Sequence, residues 1–211
     1  MQCPRLVAWR EERAADPPRR FSEDRYWARA LSGFGDPDAR VGIVGLAPAA
    51  HGANRTGRIF TGDRSGDWLF AALYRTKYAN QPTSNRRDDG LELRGAYITA
   101  VVRCAPPDNR PSPEERDTCL PYLERELALL KNCRTIVALG AFAWNGSLRA
   151  LKGLGQEMPR PQPKFGHGRE ATVGDWVLLG CYHPSQQNTF TGRLTEPMLD
   201  AVFSRARELA R

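Results

Sequence analysis

Residues 41–66, VGIVGLAPAAHGANRTGRIFTGDRSG, constrain the chain more than any other stretch. They begin as a short apolar run of β-branched character that breaks at Gly45. Such a run, bounded by turn residues, predicts a strand. A long loop of small residues follows, carrying His51, Asn54, Arg55, Arg58, Phe60 and Asp63, and then a helical pattern at Trp68, Leu69, Ala72 and Leu73. Strand, loop and helix in that order form the first unit of an α/β domain. Long ordered loops in compact domains are usually functional, so this one is the expected floor of a site.

The unit recurs. Apolar runs at 94–103, 134–139 and 176–180 predict three further strands. Helices are expected at 4–16, 65–77, 113–131, 140–153 and 196–210. Ser112-Pro113-Glu114-Glu115 is a good helix start: serine caps, proline is tolerated at the first position, and acids favour the first turn. A short amphipathic piece around Tyr26, Trp27 and Leu31 precedes the first strand, and the polar segment 80–94 reads as a surface excursion. Alternating strands and helices imply one domain over 1–211, a three-layer α/β/α sandwich on a mostly parallel four-stranded sheet. Sites in such sheets lie at the carboxyl ends of the strands. The loops 45–66, 103–113 and 181–193 all follow strands, so they should meet at one edge.

Charge and cysteine usage narrow the classes. Thirty-one Lys and Arg against 24 Asp and Glu give a formal charge of +7 over 211 residues, which favours a polyanionic partner without requiring one. No apolar run is long enough to span a membrane. Residues 1–16 lack the apolar core of a signal peptide, which points to the cytoplasm and to reduced or metal-bound cysteines.

Three stretches carry a resemblance: GLAPAAHGANRTGRIFTGD at 45–63, YITAVVRCAPPDNRP at 97–111 and HPSQQNTFTGRLT at 183–195. Together they resemble uracil-DNA glycosylases, in particular the family 5 branch, from Cys3 to the last helix. The resemblance implies an α/β/α sandwich, an iron–sulfur cluster and excision of deaminated bases from double-stranded DNA by a monomer, leaving an abasic site.

Each residue also has to make chemical sense. Breaking an N-glycosidic bond puts positive charge on the sugar and negative charge on the departing base, and the base must first leave the duplex. By resemblance Phe60 stacks on the flipped base; an ordinary core phenylalanine is the alternative. His183 follows the fourth strand, where a donor can stabilise charge on the base as it departs; a satisfied turn histidine is the alternative. Related glycosylases carry an Asp, Asn or Glu at one of two places that are Leu46 and Ala47 here. Asp63 is therefore the candidate for holding water or the sugar cation, with a helix cap as its other reading. The expected base pocket comprises Gly45, Ala47, Pro48, Ala49, Phe60, Ala100 and His183. Ala100 stands where uracil-selective members have an asparagine, so hypoxanthine should be accepted beside uracil. Asn54, Arg55, Arg58, Gln187, Asn188 and Arg193 are expected to reach DNA, with a solvated loop as the alternative. No lysine lies in the three motifs, so simple hydrolysis is the expected reaction.

Cys104 and Cys119 lie fifteen residues apart, matching the third and fourth cluster ligands of family 4 and 5 glycosylases. Cys3-Pro4-Arg5-Leu6 matches the second; the first would fall before Met1, so the sequence starts inside the motif. By resemblance Cys3, Cys104 and Cys119 hold a [4Fe–4S] cluster with a fourth ligand not in this sequence. Cys133 and Cys181 read as core thiols. The rival reading is a non-catalytic nucleic-acid- or nucleotide-binding α/β module with such a cluster. It leaves HPSQQN unexplained, and the loop after the first strand has neither GxxxxGK[ST] nor GxGxxG.

Overall fold

The computed structural model of the chain describes residues 3–210. Its elements in order are α1 (Pro4–Ala15), β1 (Phe34–Gly35), β2 (Val41–Gly45), α2 (Ala53–Thr56), α3 (Arg64–Arg75), β3 (Ala96–Ala100), α4 (Pro113–Leu129), β4 (Thr135–Leu139), α5 (Ala141–Gly153), β5 (Glu170–Val173), β6 (Trp176–Cys181), α6 (Gln186–Phe190) and α7 (Glu196–Leu209). The strands form one sheet in the order β1-β3-β2-β4-β6-β5.

The four strands expected from the sequence are its parallel centre, with β2 paired to β3 on one side and β4 on the other. The sheet has six strands rather than four, because β1 and β5 add antiparallel edges. Both were hard to read: β1 is two residues long, and in β5, EATV, only Val173 is buried. Segment 21–40 contains no α-helix; its one helical turn, a 3-10 turn at Arg19–Phe21, lies at its start.

Three layers follow from the pleat. Alternate side chains of a strand point to opposite faces. Ile43, Val137 and Leu179 pack with Phe70, Leu73 and Phe203, so α3 and α7 cover one face. Val44, Ile136 and Leu178 pack with Leu123, Leu127, Trp144 and Leu148, so α4 and α5 cover the other, where Leu6 of α1 also docks. Burial on both faces explains why these strands read as continuous apolar runs. Cys133 and Cys181 are fully buried in the two halves of the core, as expected, and burial pushes their thiols up to about 11 and about 12. No helix among the described residues is long and apolar enough to cross a membrane.

The chain runs from β2 to β3 on one side and then crosses back to β4 on the other. Strand order thus reverses between β2 and β4, and ligands of open α/β sheets bind in the crevice at such a reversal. The loops leaving β2, β3 and β6 border it.

Candidate active site

The three loops meet around one cavity of about 490 Å³, a size suited to a small flat ligand. Leu46, Ala47, Ala49, Phe60, Asp63 and Arg64 come from the first loop. Asn109 comes from the second, and His183, Ser185 and Gln187 from the third.

Phe60 is held in place by glycines. A Cβ at Gly45 would lie 2.8 Å from the Phe60 ring, and a Cβ at Gly66 would lie 1.9 Å from its carbonyl oxygen. Only residues without side chains let the ring lie on the end of β2 and its carbonyl on the first turn of α3. Phe60 itself has φ +54°, a conformation that costs a non-glycine residue on the order of 1 kcal/mol. The ring faces His183, their centroids 5.8 Å apart and tilted by 34°.

His183 follows β6, and its carbonyl is held by the side-chain amide of Asn188, which donates at 2.8 Å. Ser185 caps α6 by accepting from the Asn188 backbone. Burial pushes the His183 imidazole down to about 4, so it is neutral near pH 7 and has one N–H to donate. No other described residue hydrogen-bonds to that ring, which leaves both nitrogens available to a ligand.

Asp63 is the N-cap of α3: its Oδ1 accepts from the Gly66 backbone N–H at 3.0 Å. The other oxygen lies over Gly52, where a Cβ would approach it to 2.0 Å. Burial raises the Asp63 pKa, against hydrogen bonds from the Gly66 and Ser65 backbone that lower it. Asp63 thus caps a helix and also lines the cavity.

The match to family proteins fits this geometry. The uracil DNA glycosylase superfamily model matches residues 32–207. The chain is 55% identical to the type-5 uracil-DNA glycosylase of Mycobacterium bovis over 99% of its own length and 77% of that protein. It is 49% identical to that of Thermus thermophilus, over 99% and 92%, and 45% identical to that of Pyrobaculum aerophilum, over 97% and 86%. The chain belongs to the uracil-DNA glycosylase superfamily.

Several residues of this glycosylase domain lie elsewhere than expected. Gly45, Pro48 and Ala100 are buried and do not line the cavity. Gly45 pairs with Ala100 in the sheet, and the Phe60 ring covers Gly45. Asn54 is 1% exposed and donates to the Arg10 carbonyl at 3.1 Å. Arg58 is 4% exposed: its Nη2 holds both Asp89 oxygens and the Ser84 hydroxyl at 2.8 Å, its Nε donates to the Thr61 hydroxyl, and its Nη1 donates to the Arg87 carbonyl. Neither faces outward to meet a phosphate, which corrects the sequence expectation. Arg58 ties segment 80–94 to the Phe60 turn, so that segment is packed, with Leu91 and Leu93 in the core.

Arg55 is largely spoken for as well. It donates to Asp24 at 2.8 Å and to the carbonyls of His51 and Gly62. Asn188 holds His183 rather than pointing outward, while Gln187 is exposed on the cavity rim and Arg193 is exposed beside Tyr182. Asn109, Arg64 and Ser185 line the cavity without having been singled out. A signal existed for Asn109: asparagine tolerates the left-handed backbone that a tight proline-rich loop needs, and its φ is +55°.

Cys3, Cys104 and Cys119 border a different hollow, where Arg10 donates to the Cys104 sulfur at 2.9 Å. Among the described residues, no group of three or more His, Cys, Asp or Glu side chains is arranged to hold a metal ion.

Proposed function

We propose that the chain is a monofunctional glycosylase that takes uracil, and hypoxanthine as well, out of double-stranded DNA and hydrolyses the N-glycosidic bond. The observation that carries this reading is the convergence of Phe60, His183 and Asp63 on one cavity. The flipped base stacks on Phe60. As the C1′–N bond breaks, its electron pair goes to the base, and the neutral His183 N–H stabilises the charge that appears there. Asp63 orients the water whose oxygen bonds to C1′; one water proton ends on the released base and the abasic sugar keeps the other on its new hydroxyl. No lysine lines the cavity, so there is no amine to form a Schiff base.

Base discrimination rests on an absence at β3. An amide there would leave donor and acceptor unpaired against a wrong base, and Ala100 applies no such filter. Selection then falls to how easily a base leaves the duplex, which favours mispairs. Single-turnover excision on G·U and hypoxanthine-containing duplexes compares the two. Strict uracil specificity would overturn the broad reading and leave the glycosylase reading intact.

Cys3, Cys104 and Cys119 are the thiols that a [4Fe–4S] cluster would use, together with a fourth donor. Such a cluster would staple α1 to the loop after β3 and to α4. No step of the reaction runs through it. Protein purified anaerobically without iron or charge-transfer absorption would remove the cluster from the account. Action as a monomer in the cytoplasm completes the reading.

A further inference from the structure

A second hollow, of about 850 Å³, adjoins the base cavity. Ala49, Asp63, Arg64, Asn109 and Gln186 line both, so the two spaces are continuous. A DNA strand whose target nucleotide enters the first can place a neighbouring nucleotide at the second. The walls of this second hollow are chemically distinct from those of the base cavity. Phe21 and His51 present nearly parallel rings, 29° apart in plane and 6.4 Å between centroids. His51 is pinned by Tyr26, whose hydroxyl lies 2.9 Å from Nδ1.

The cations divide into two kinds. Arg55 reaches the hollow, where it lies 4.0 Å from the Phe21 ring centroid and is paired with Asp24. Arg20 and Arg64 form no ion pair among the described residues. Each lies instead against an aromatic ring, Arg20 at 4.6 Å from Phe21 and Arg64 at 4.5 Å from Phe190. A ring contact positions a guanidinium without neutralising it, so both remain able to take an anion. Asp67 and Asp108 also line the hollow and limit its positive field, which suits one phosphate better than several. Burial and the charges of Arg13, Arg20 and Arg55 lower the His51 pKa, so its ring is a neutral flat surface near pH 7.

We propose that this hollow is a subsite for the nucleotide flanking the target on one side, with Arg20 and Arg64 holding its phosphate and the wall built by Phe21, His51 and Arg55 bounding its sugar. The subsite rests on the glycosylase reading and adds a contact that begins outside the three glycosylase motifs, in the segment joining α1 to β1.

The test is a scan of neutral methylphosphonate linkages along the uracil strand of a duplex carrying a cleavage-resistant 2′-fluorinated uracil nucleotide. Binding is measured for the wild type, Arg20→Ala and Arg20→Lys. At one flanking position the neutral linkage should weaken wild-type binding roughly tenfold. Arg20→Ala should show part of that loss with the unmodified duplex and a smaller further loss at that position than the wild type shows, because Arg64 remains, while Arg20→Lys keeps more of the affinity. The salt slope of Arg20→Ala should fall by about 0.9, the value for one phosphate. Additive losses at every position, or wild-type affinity in Arg20→Ala, would overturn the subsite. Excision of ordinary uracil by the wild type is measured in parallel, so failure of the enzymatic reading is seen separately.

Discussion

The ring of Phe60 lies on the α-carbon of Gly45, where a Cβ would stand 2.8 Å from Cε2 and 2.9 Å from Cζ. The last residue of the first parallel strand therefore decides where the Phe60 ring lies. Gly45→Ala should displace the ring and cost about 1–3 kcal/mol in denaturant unfolding, the usual range for overpacking. Gly42, in the same strand, is the control: its Cβ would meet Cys133 Sγ at 3.5 Å, an ordinary contact. Gly42→Ala should cost less than about 1 kcal/mol and leave excision near the wild-type rate. Equal effects at both positions would mean that Gly45 serves the strand and not the ring.

One substitution separates the cap that Asp63 makes from the catalytic role proposed for it. Asparagine keeps most capping ability and removes the charge. Asp63→Asn should fold with nearly wild-type stability and lose most single-turnover excision, whereas Asp63→Ala should also lose about 1 kcal/mol of stability. The buried carboxyl titrates above the usual aspartate range. Excision should accordingly rise with pH along an acid limb shifted upward from that range, and Asp63→Asn should lack the limb. Full excision by Asp63→Asn would leave Asp63 as a cap alone.

His183 carries a pH signature in stability as well as in rate. Burial holds its folded pKa at about 4, below the ordinary histidine value of 6.5, so the unfolded chain binds the extra proton first. Stability is complete above pH 6.5 and falls as pH drops toward 4, by up to roughly 3 kcal/mol. His183→Gln should flatten that fall in urea titrations at pH 7 and pH 4.5. His183→Ala should lower the single-turnover rate by about 10²–10³, as removal of a comparable donor does elsewhere. Near wild-type excision by His183→Ala would remove it from the mechanism.

The parallel core of the fold was legible because strands buried on both faces read as unbroken apolar runs, as at Ile43-Val44 and Ile136-Val137. The edges were not. Phe34-Gly35 is too short to show a period, and β5 has only Val173 buried. At the site, Phe60, Asp63, Ala47, Ala49 and His183, singled out from the sequence, line the cavity, and Gln187, expected to reach DNA, lies on its rim. It failed where a polar residue turns inward. Arg58 in a loop reads as a cation for phosphate, and its partner Asp89 is thirty-one residues away. Burial pushes the Asp89 carboxyl up, but Arg58 and three backbone N–H groups outweigh that and hold it below its ordinary value. Arg103 also turns inward: it is buried on Glu126, which it grips with two guanidinium nitrogens at 3.0 and 2.8 Å. Long-range pairings of this kind leave no local trace.

The central claim is that Phe60, Asp63 and His183 line a cavity that hydrolyses the bond between a damaged base and its sugar. The most direct test incubates the purified chain with a duplex carrying one G·U mispair, follows free uracil by mass, and then treats the DNA with hot alkali. Release of uracil with an intact strand that breaks only after alkali is the expected result. Binding of the duplex with no released base and no alkali-labile site would contradict it.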